Sequence, residues 1–441
     1  MKKIYILLIM IASLYGCSAK EVVIPVEVRL KIMENTETVS TIPLELKILP
    51  LYEKNIEYTG DLPLVDYLFT NSKVNIRGEP SINGRILGRT KIKEKIEVLG
   101  TVKGDRIKNN RVWYKVKYKN YIGYLHSSVI VKREFRFEEM AKRARSLDLF
   151  IMESKINNWS IERIIQYKPG SKEAEDTPRD LYGNRGEQSI SGFYTNSNGE
   201  SYLRYLSDGR IVSVREKSKE GDLVAIPDSM RIYKIESRKT RKIDVKNGIN
   251  KIIVIDLNNQ NQGIFLKKDD VWQLISYSLI TSGVNNNRDS YETPKGYFLV
   301  GNTVRQVIFP YEEKVKKENL GGEVIENITE KGFPGKYNEE DYEIVKKYSR
   351  ANYGIRFSGG GYIHGIPLKD DIVKELGSEE AVKKRKERAT ITLGTYKRSH
   401  KCVRSPEEHE SFLYHDFVGY SPKYKGKWWR APKENVAVIV F

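Results

Sequence analysis

The chain has 441 residues, too many for one ordinary hydrophobic core and enough for two to four domains. Hydrophobic content of 39% and charged content of 30% fit a folded protein and exclude a disordered one. The formal charge of +18 calls for anionic partners, yet Lys and Arg are spread through every segment without zinc-finger spacing, RNA-binding aromatics or a basic helix, so nucleic acid is not expected and anionic polymers or lipid headgroups are.

Lys2 and Lys3 precede the apolar run Ile4 to Leu14. A spanning helix needs about 20 apolar residues, so this run reads as the hydrophobic part of an export signal. It ends in Leu14-Tyr15-Gly16-Cys17, which resembles the bacterial lipobox, with Tyr15 bulkier than the usual small residue. That resemblance implies removal of residues 1–16 and lipidation of Cys17, hence a membrane-anchored lipoprotein of the cell envelope, on the periplasmic side or the outer surface of the cytoplasmic membrane. An ordinary signal peptide with a chance cysteine is the alternative. The chain has two cysteines, Cys17 and Cys402. With Cys17 lipidated, Cys402 is a lone thiol in an exported protein, an oxidation liability that catalysis would justify.

Residues 17–65 alternate apolar and polar residues around Pro25, Pro43, Pro50 and Pro63, the pattern of an extended tether. Residues 66–133 carry short strands separated by turns: Val74 to Arg77, Lys95 to Leu99, Val112 to Val116 and Gly123 to Leu125. Their order resembles the bacterial SH3-like domain and implies a small barrel of the kind that docks on peptidoglycan or on a catalytic domain. Trp113 is assigned to its core, with Tyr124 open between core and groove.

Residues 134–249 read as a helix over 135–165, from the spacing of Phe137, Met140, Ala141, Ala144 and Leu147, followed by antiparallel strands. Asn198-Gly199 and Asp208-Gly209 are hairpin signals there. This module offers no chemistry of its own. Residues 250–441 are again mainly β: Ile252 to Leu257, Gly263 to Leu266, Trp272 to Ser282, Tyr297 to Val300 and Val436 to Phe441, with a charged helical stretch from about Lys369 to Arg388. The predicted fold class is therefore mainly β in three modules.

Three motifs of the last region converge. Ser282-Gly283 is followed by Thr293-Pro294-Lys295-Gly296; His364-Gly365 follows Gly359-Gly360-Gly361; and Ser399-His400-Lys401-Cys402-Val403-Arg404 contains the lone thiol. Together and in this order they resemble the L,D-transpeptidase catalytic domain, a β-sandwich-like fold. The resemblance implies Cys402 as nucleophile, His364 as its base, and peptidoglycan stem peptides as partner, with no metal or nucleotide cofactor. The implied reaction releases the terminal D-alanine of a tetrapeptide stem and passes the acyl group to an amine, giving a 3→3 cross-link, or to water.

A thiol attacks a carbonyl only as thiolate, which requires a base or a positive environment. On an extended segment His400, Cys402 and Arg404 share one face, so His400 borders the site and Arg404 either binds a substrate carboxylate or supports the site. Backbone N–H groups near Lys401 and Cys402 are candidate oxyanion donors, with Ser399 and Gly365 lining the site. Arg398, Lys401 and Arg404 should lower the thiol pKa. Two departures stand out. Lys401 replaces the family's usual glycine, a burden of roughly 1–2 kcal/mol if that position needs a positive φ, and the segment around Asp370 to Arg388 is a charged insert, either a lid or a solvated surface. His126, His409 and His415 are read as structural.

Papain-like endopeptidases place the cysteine well before its histidine, and sortases place theirs after a Thr-Leu-x-Thr strand; neither order fits. A zinc site of Cys402, His400 and His364 lacks the usual Cys-x-x-Cys spacing. The remaining alternative is a catalytically inactive wall-binding lipoprotein that tethers membrane to wall, an option that Lys401 keeps open.

Overall fold

The computed structural model describes residues 66–166, 179–285, 292–316, 342–369, 379–381, 383–384, 387–389, 391–422 and 429–441. The export signal, Cys17, the tether and residues 370–378 of the charged insert lie outside the described residues. Described residues between 379 and 389 are helical. None of the described helices is long and apolar enough to cross a membrane.

The first seven strands are β1 (Tyr67–Phe69), β2 (Asn75–Arg77), β3 (Ile86–Arg89), β4 (Ile96–Ile107), β5 (Asn110–Tyr118), β6 (Tyr121–His126) and β7 (Val131–Arg133). They form one sheet in the order β3-β2-β6-β5-β4-β1-β7. Alternation buries Leu68, Ile76, Ile96, Val116 and Leu125 in a common core. Trp113 is buried, its indole N–H donating to the Asp105 carbonyl at 2.9 Å, and Tyr124 is half-buried. A second cluster joins Tyr67 and Phe69 to Leu279, Ile366 and Leu393, so β1 also packs on the C-terminal region.

Helix α1 (Phe137–Ile156) presents Met140, Ala141, Ala144, Leu147 and Ile151 at helical spacing as its buried face. Glu138 and Glu139 complement the dipole of its first turn. The expected helix over 135–165 is too long: the chain leaves it at Asn157, Asn158 takes φ 56°, and Ser160–Ile164 is a strand, β8. Ile161 and Ile164 stand three residues apart and continue the helical spacing, so no period of two marks this strand in the sequence. β9 (Ser189–Thr195), β10 (Ser201–Ser207), β11 (Ile211–Glu216), β12 (Asp222–Ile226), β13 (Ser229–Ile235) and β14 (Thr240–Lys242) complete a sheet of order β10-β9-β13-β12-β11-β8-β14. Asn198-Gly199 closes the β9–β10 hairpin. Asp208-Gly209 does not make a hairpin, because β10 and β11 are not neighbours. Gly209 has φ 82° and lies so close to Phe357 that an added Cβ would fall 2.1 Å from its carbonyl oxygen. The glycine serves a backbone crossing against the next module, which sequence alone cannot separate from a turn.

The C-terminal region holds β15 (Lys251–Asp256), β16 (Asn261–Lys268), β17 (Val271–Leu279), β18 (Gly296–Leu299), β19 (Asn302–Lys316), β20 (Tyr342–Ser358), β21 (Gly361–His364), β22 (Leu368–Lys369), β23 (Val403–Arg404) and β24 (Val436–Val440). One sheet runs β17-β16-β15-β24-β18 and a second β19-β20-β21-β23. In β15, Ile252 and Val254 face α1 while Ile253 and Ile255 face the second sheet. Burial on both faces explains an unbroken apolar run where a surface strand would alternate. Each such fully buried Ile or Val contributes roughly 1.5–3 kcal/mol.

Candidate functional site

The reactive segment is built where four remote stretches meet. Thr281 and Arg404 exchange backbone hydrogen bonds at 2.9 Å, and Ser399 pairs with Gly283. On the other side β21 runs parallel to β23, with Ile363 opposite Val403 and His364 opposite Arg404. Thr293 is buried; its hydroxyl donates to the Lys401 carbonyl at 2.9 Å and accepts from the Gly283 N–H at 2.8 Å. The motifs selected from the sequence, about 120 residues apart at their extremes, thus share one hydrogen-bonded frame.

The backbone at Lys401 is left-handed, with φ 66°, and the Cys402 N–H reaches back to the His400 carbonyl at 2.8 Å. This three-residue turn corrects two expectations. The segment is not extended across His400 to Cys402, so these side chains do not share a face by alternation, and His400 is exposed. The Cys402 N–H already has an acceptor, so it is not an available oxyanion donor in this arrangement. For a residue with a Cβ, the left-handed region costs about 1 kcal/mol.

Cys402 is 3% exposed and is a free thiol. Its Sγ donates to the Gly360 carbonyl at 3.7 Å, and the Tyr362 N–H is placed to stabilise a thiolate. Burial nevertheless pushes the thiol pKa up; Tyr362, Arg404 and Lys401 pull it down but do not prevail. The expectation of a lowered pKa therefore fails, because desolvation in a closed site outweighs nearby cations. Arg398, the third expected cation, is exposed and acts on Lys93.

His364 is fully buried. Its Nδ1 lies 2.6 Å from the Gly365 carbonyl, and a carbonyl only accepts, so Nδ1 carries the hydrogen. Nε2 consequently holds a lone pair, and it has no hydrogen-bond partner. Burial and the Arg404 charge hold the imidazole pKa down to about 3, so the ring is neutral at neutral pH. Arg404 acts on both His364 and Cys402, and its Nε lacks a partner. Ser399 is buried with an unpartnered hydroxyl.

Gln188, in the middle module, was not indicated by any motif. Its side chain covers Gly359 and Gly360 and accepts from the Lys401 ammonium at 2.9 Å. Gln188 is itself left-handed, with φ 51°, and its carbonyl accepts from the Asp208 N–H. It thereby touches both sides of the thiol: the turn whose carbonyl holds the S–H, and the residue before the cysteine. Lys401 is 8% exposed and its pKa is lowered by burial to about 8. A cavity of about 370 Å³ beside it is shared by Arg179, Arg185 and Glu187 of the middle module with Thr293, Pro294 and Lys295. Of the other histidines, His126 and His409 are buried and hydrogen-bonded, and His415 is exposed.

No curated protein sequence matches the chain. Among solved structures, an L,D-transpeptidase from Mycobacterium smegmatis overlaps 62% of this chain and 87% of its own, at 12% identity and a TM-score of 0.23. L,D-transpeptidase 3 from Mycobacterium tuberculosis overlaps 57% of this chain and 79% of its own, at 13% identity and a TM-score of 0.23. A fused Zn-dependent amidase/peptidase/peptidoglycan-binding domain-containing protein from Clostridium acetobutylicum overlaps 44% of this chain, at 12% identity and a TM-score of 0.22; the chain spans about half (52%) of that protein. Superpositions this loose leave the chemistry of the site to its own residues. Residues 72–131 match the family model of the bacterial SH3 domain, and the N-terminal β module described above is a domain of that family.

Proposed function

We propose that the chain is a cell-envelope L,D-transpeptidase in which Cys402 is the nucleophile and His364 the general base. The observation that carries this reading is the histidine: Nδ1 is committed to Gly365, Nε2 is a buried, unpartnered lone pair, and the residue pairs with the strand that directly follows Cys402. A structural histidine would have both nitrogens satisfied.

With the thiol pKa raised and the imidazole pKa near 3, the resting pair is neutral, Cys–SH and His, rather than an ion pair. The S–H proton must therefore move to Nε2 as sulfur attacks, which requires Sγ to leave the Gly360 carbonyl. The new C–S bond forms at the amide carbon after the third residue of the stem. Collapse breaks the C–N bond, and His364 returns its proton to the departing D-alanine amine. A second amine, or water, then attacks the thioester and regenerates the thiol. Arg404 supplies positive charge for the oxyanion in place of the engaged Cys402 N–H. Gln188 acts through Lys401 and the Gly359-Gly360 turn as a positioning residue.

Purified stem tetrapeptide incubated with the protein should release D-alanine and give cross-linked product, and Cys402→Ala should give neither. Equal product from both would sink the reading. The second reading, a wall-binding tether, is favoured by the left-handed Lys401 and the protonated thiol. Acylation of Cys402 by a carbapenem, followed by mass spectrometry, separates the two: a folded protein that stays unlabelled is the tether.

A further inference from the structure

A second cleft, of about 740 Å³, opens where β8 and β14 of the middle module meet the loops after β18 and before β24. Arg163, Arg241, Lys242, Lys246 and Lys433 line it, against two carboxylates, Asp244 and Glu434. Glu434 is engaged by Lys251 at 2.8 Å, and Asp244 accepts from the backbone N–H of Lys246 at 3.0 Å within the cleft.

The cation arrangement opposes ordinary stability. Arg163 and Arg241 stand directly opposite each other on β8 and β14, a like-charge cross-strand pair that destabilises a sheet. A third guanidinium, that of Arg356, joins them: Arg356 Nη2 and Arg163 Nη1 lie 3.1 and 3.3 Å from where a Cβ on Gly301 would stand. A Cβ there would press on both guanidiniums, which would have to give by a few tenths of an ångström. Among the described residues the carboxylate that acts on Arg163 is Asp208, and Asp208 already bonds Arg356 at 3.3 Å and the Gln166 N–H at 2.8 Å. Arg163 is half-buried, and burial with the two neighbouring arginines depresses its pKa. A local conflict of this kind, kept at a solvent-open cleft, marks a place where a ligand supplies the missing charge.

We infer that this cleft is a binding site for an oxyanionic group, phosphate or carboxylate, held by Arg163 and Arg241. It gives the middle module a chemistry of its own, and it stands apart from Cys402 and the reaction proposed there. Guanidinium forks match either anion bidentately, so the chemistry is shared and the source is decided by experiment.

The test titrates the full chain with inorganic pyrophosphate and, separately, with citrate, against sodium chloride at equal ionic strength, by calorimetry and by thermal midpoint. Saturable binding of at least one anion is expected, weakened roughly tenfold or more in Arg163→Gln and in Arg241→Gln. Tighter pyrophosphate assigns the site to phosphate groups; tighter citrate assigns it to carboxylates. The anion-free midpoint of Arg163→Gln should not fall, because the repulsion is relieved. Should Arg163→Gln fail to fold, the exposed Arg241→Gln decides alone. Absence of saturable binding, equal binding by the variants, or an equal effect of sodium chloride would overturn the inference.

Discussion

The SH3 domain and the reactive segment both bury a histidine, and they treat it in opposite ways. In the SH3 domain His126 Nδ1 lies 2.7 Å from the Ser128 hydroxyl and Nε2 lies 3.3 Å from the Asn110 carbonyl, with the Trp113 ring edge-on against the imidazole. At the reactive segment His364 keeps one nitrogen unpartnered, the neighbouring Lys401 is left-handed, and a lysine ammonium and a thiol are both buried. Where every polar atom is paired, a residue contributes to stability alone. Unpaired lone pairs and strained backbone gathered in one place mark groups held ready for an incoming molecule.

The largest expected effect tests the unpaired side. His364→Gln should lower the rate of D-alanine release by roughly 10²–10⁴-fold with little change in thermal midpoint. A loss of folding without a specific loss of turnover would put His364 with His126. On the paired side, Trp113→Ala should cost about 3–5 kcal/mol in SH3 stability by denaturant unfolding. Carbapenem acylation of Cys402 in the still-folded C-terminal region should be unchanged.

A smaller effect concerns the backbone. Lys401→Gly should stabilise the protein by roughly 1 kcal/mol, since glycine accepts the left-handed conformation freely, yet it should slow turnover, because the contact to Gln188 is lost. Gln188→Ala should slow turnover similarly without the gain in stability. Additive losses in the double variant would show that the two residues act independently.

The smallest effect is on the pH profile. Glu410 is buried, and desolvation raises its pKa to about 8, above its ordinary 4.5. The folded state therefore holds a proton that the unfolded state has released, so this contribution to stability is lost as pH rises through about 8. His364 and His409, both lowered to about 3, have the opposite sign: the unfolded state takes up protons below about 6.5, so they favour folding more as pH rises from 3 to 6.5. Between about 6.5 and 8 Glu410 is the group that decides the slope. Thermal midpoints should decline there, and Glu410→Gln should flatten the decline.

The site was legible where chemistry demands a residue type. A cysteine flanked by basic residues, a histidine in a glycine-rich context and a Thr-Pro turn are linked by order, and the hydrogen bonds of Thr293 and the β21–β23 pairing bring them together. Reading the protonation state failed because flanking arginines and lysines are visible in sequence whereas burial is not. Gln188 is invisible in the sequence for a different reason: its place beside Lys401 comes from a contact between residues of different modules, and no local pattern encodes that. The end of α1 is not marked in the sequence, because Ile161 and Ile164 of β8 continue a helical spacing with only three residues between the two elements. The long β19–β20 pair is the element least expected from the sequence, although Ala351, Tyr353, Ile355 and Phe357 of β20 do alternate.

The position of β24 has a consequence for how the chain acquires its shape. It lies between β15 and β18, running parallel to β15, with Lys251 beside Val436. The middle of the sheet thus waits for residues 436–440, while β15 and β18 present unpaired edges until they arrive. Non-local parallel pairing of this kind folds slowly, so docking of β24 is expected as a late step in assembling this sheet. A chain caught before that step would expose its most apolar strands, and rapid dilution from denaturant should aggregate it at concentrations where slow dialysis does not.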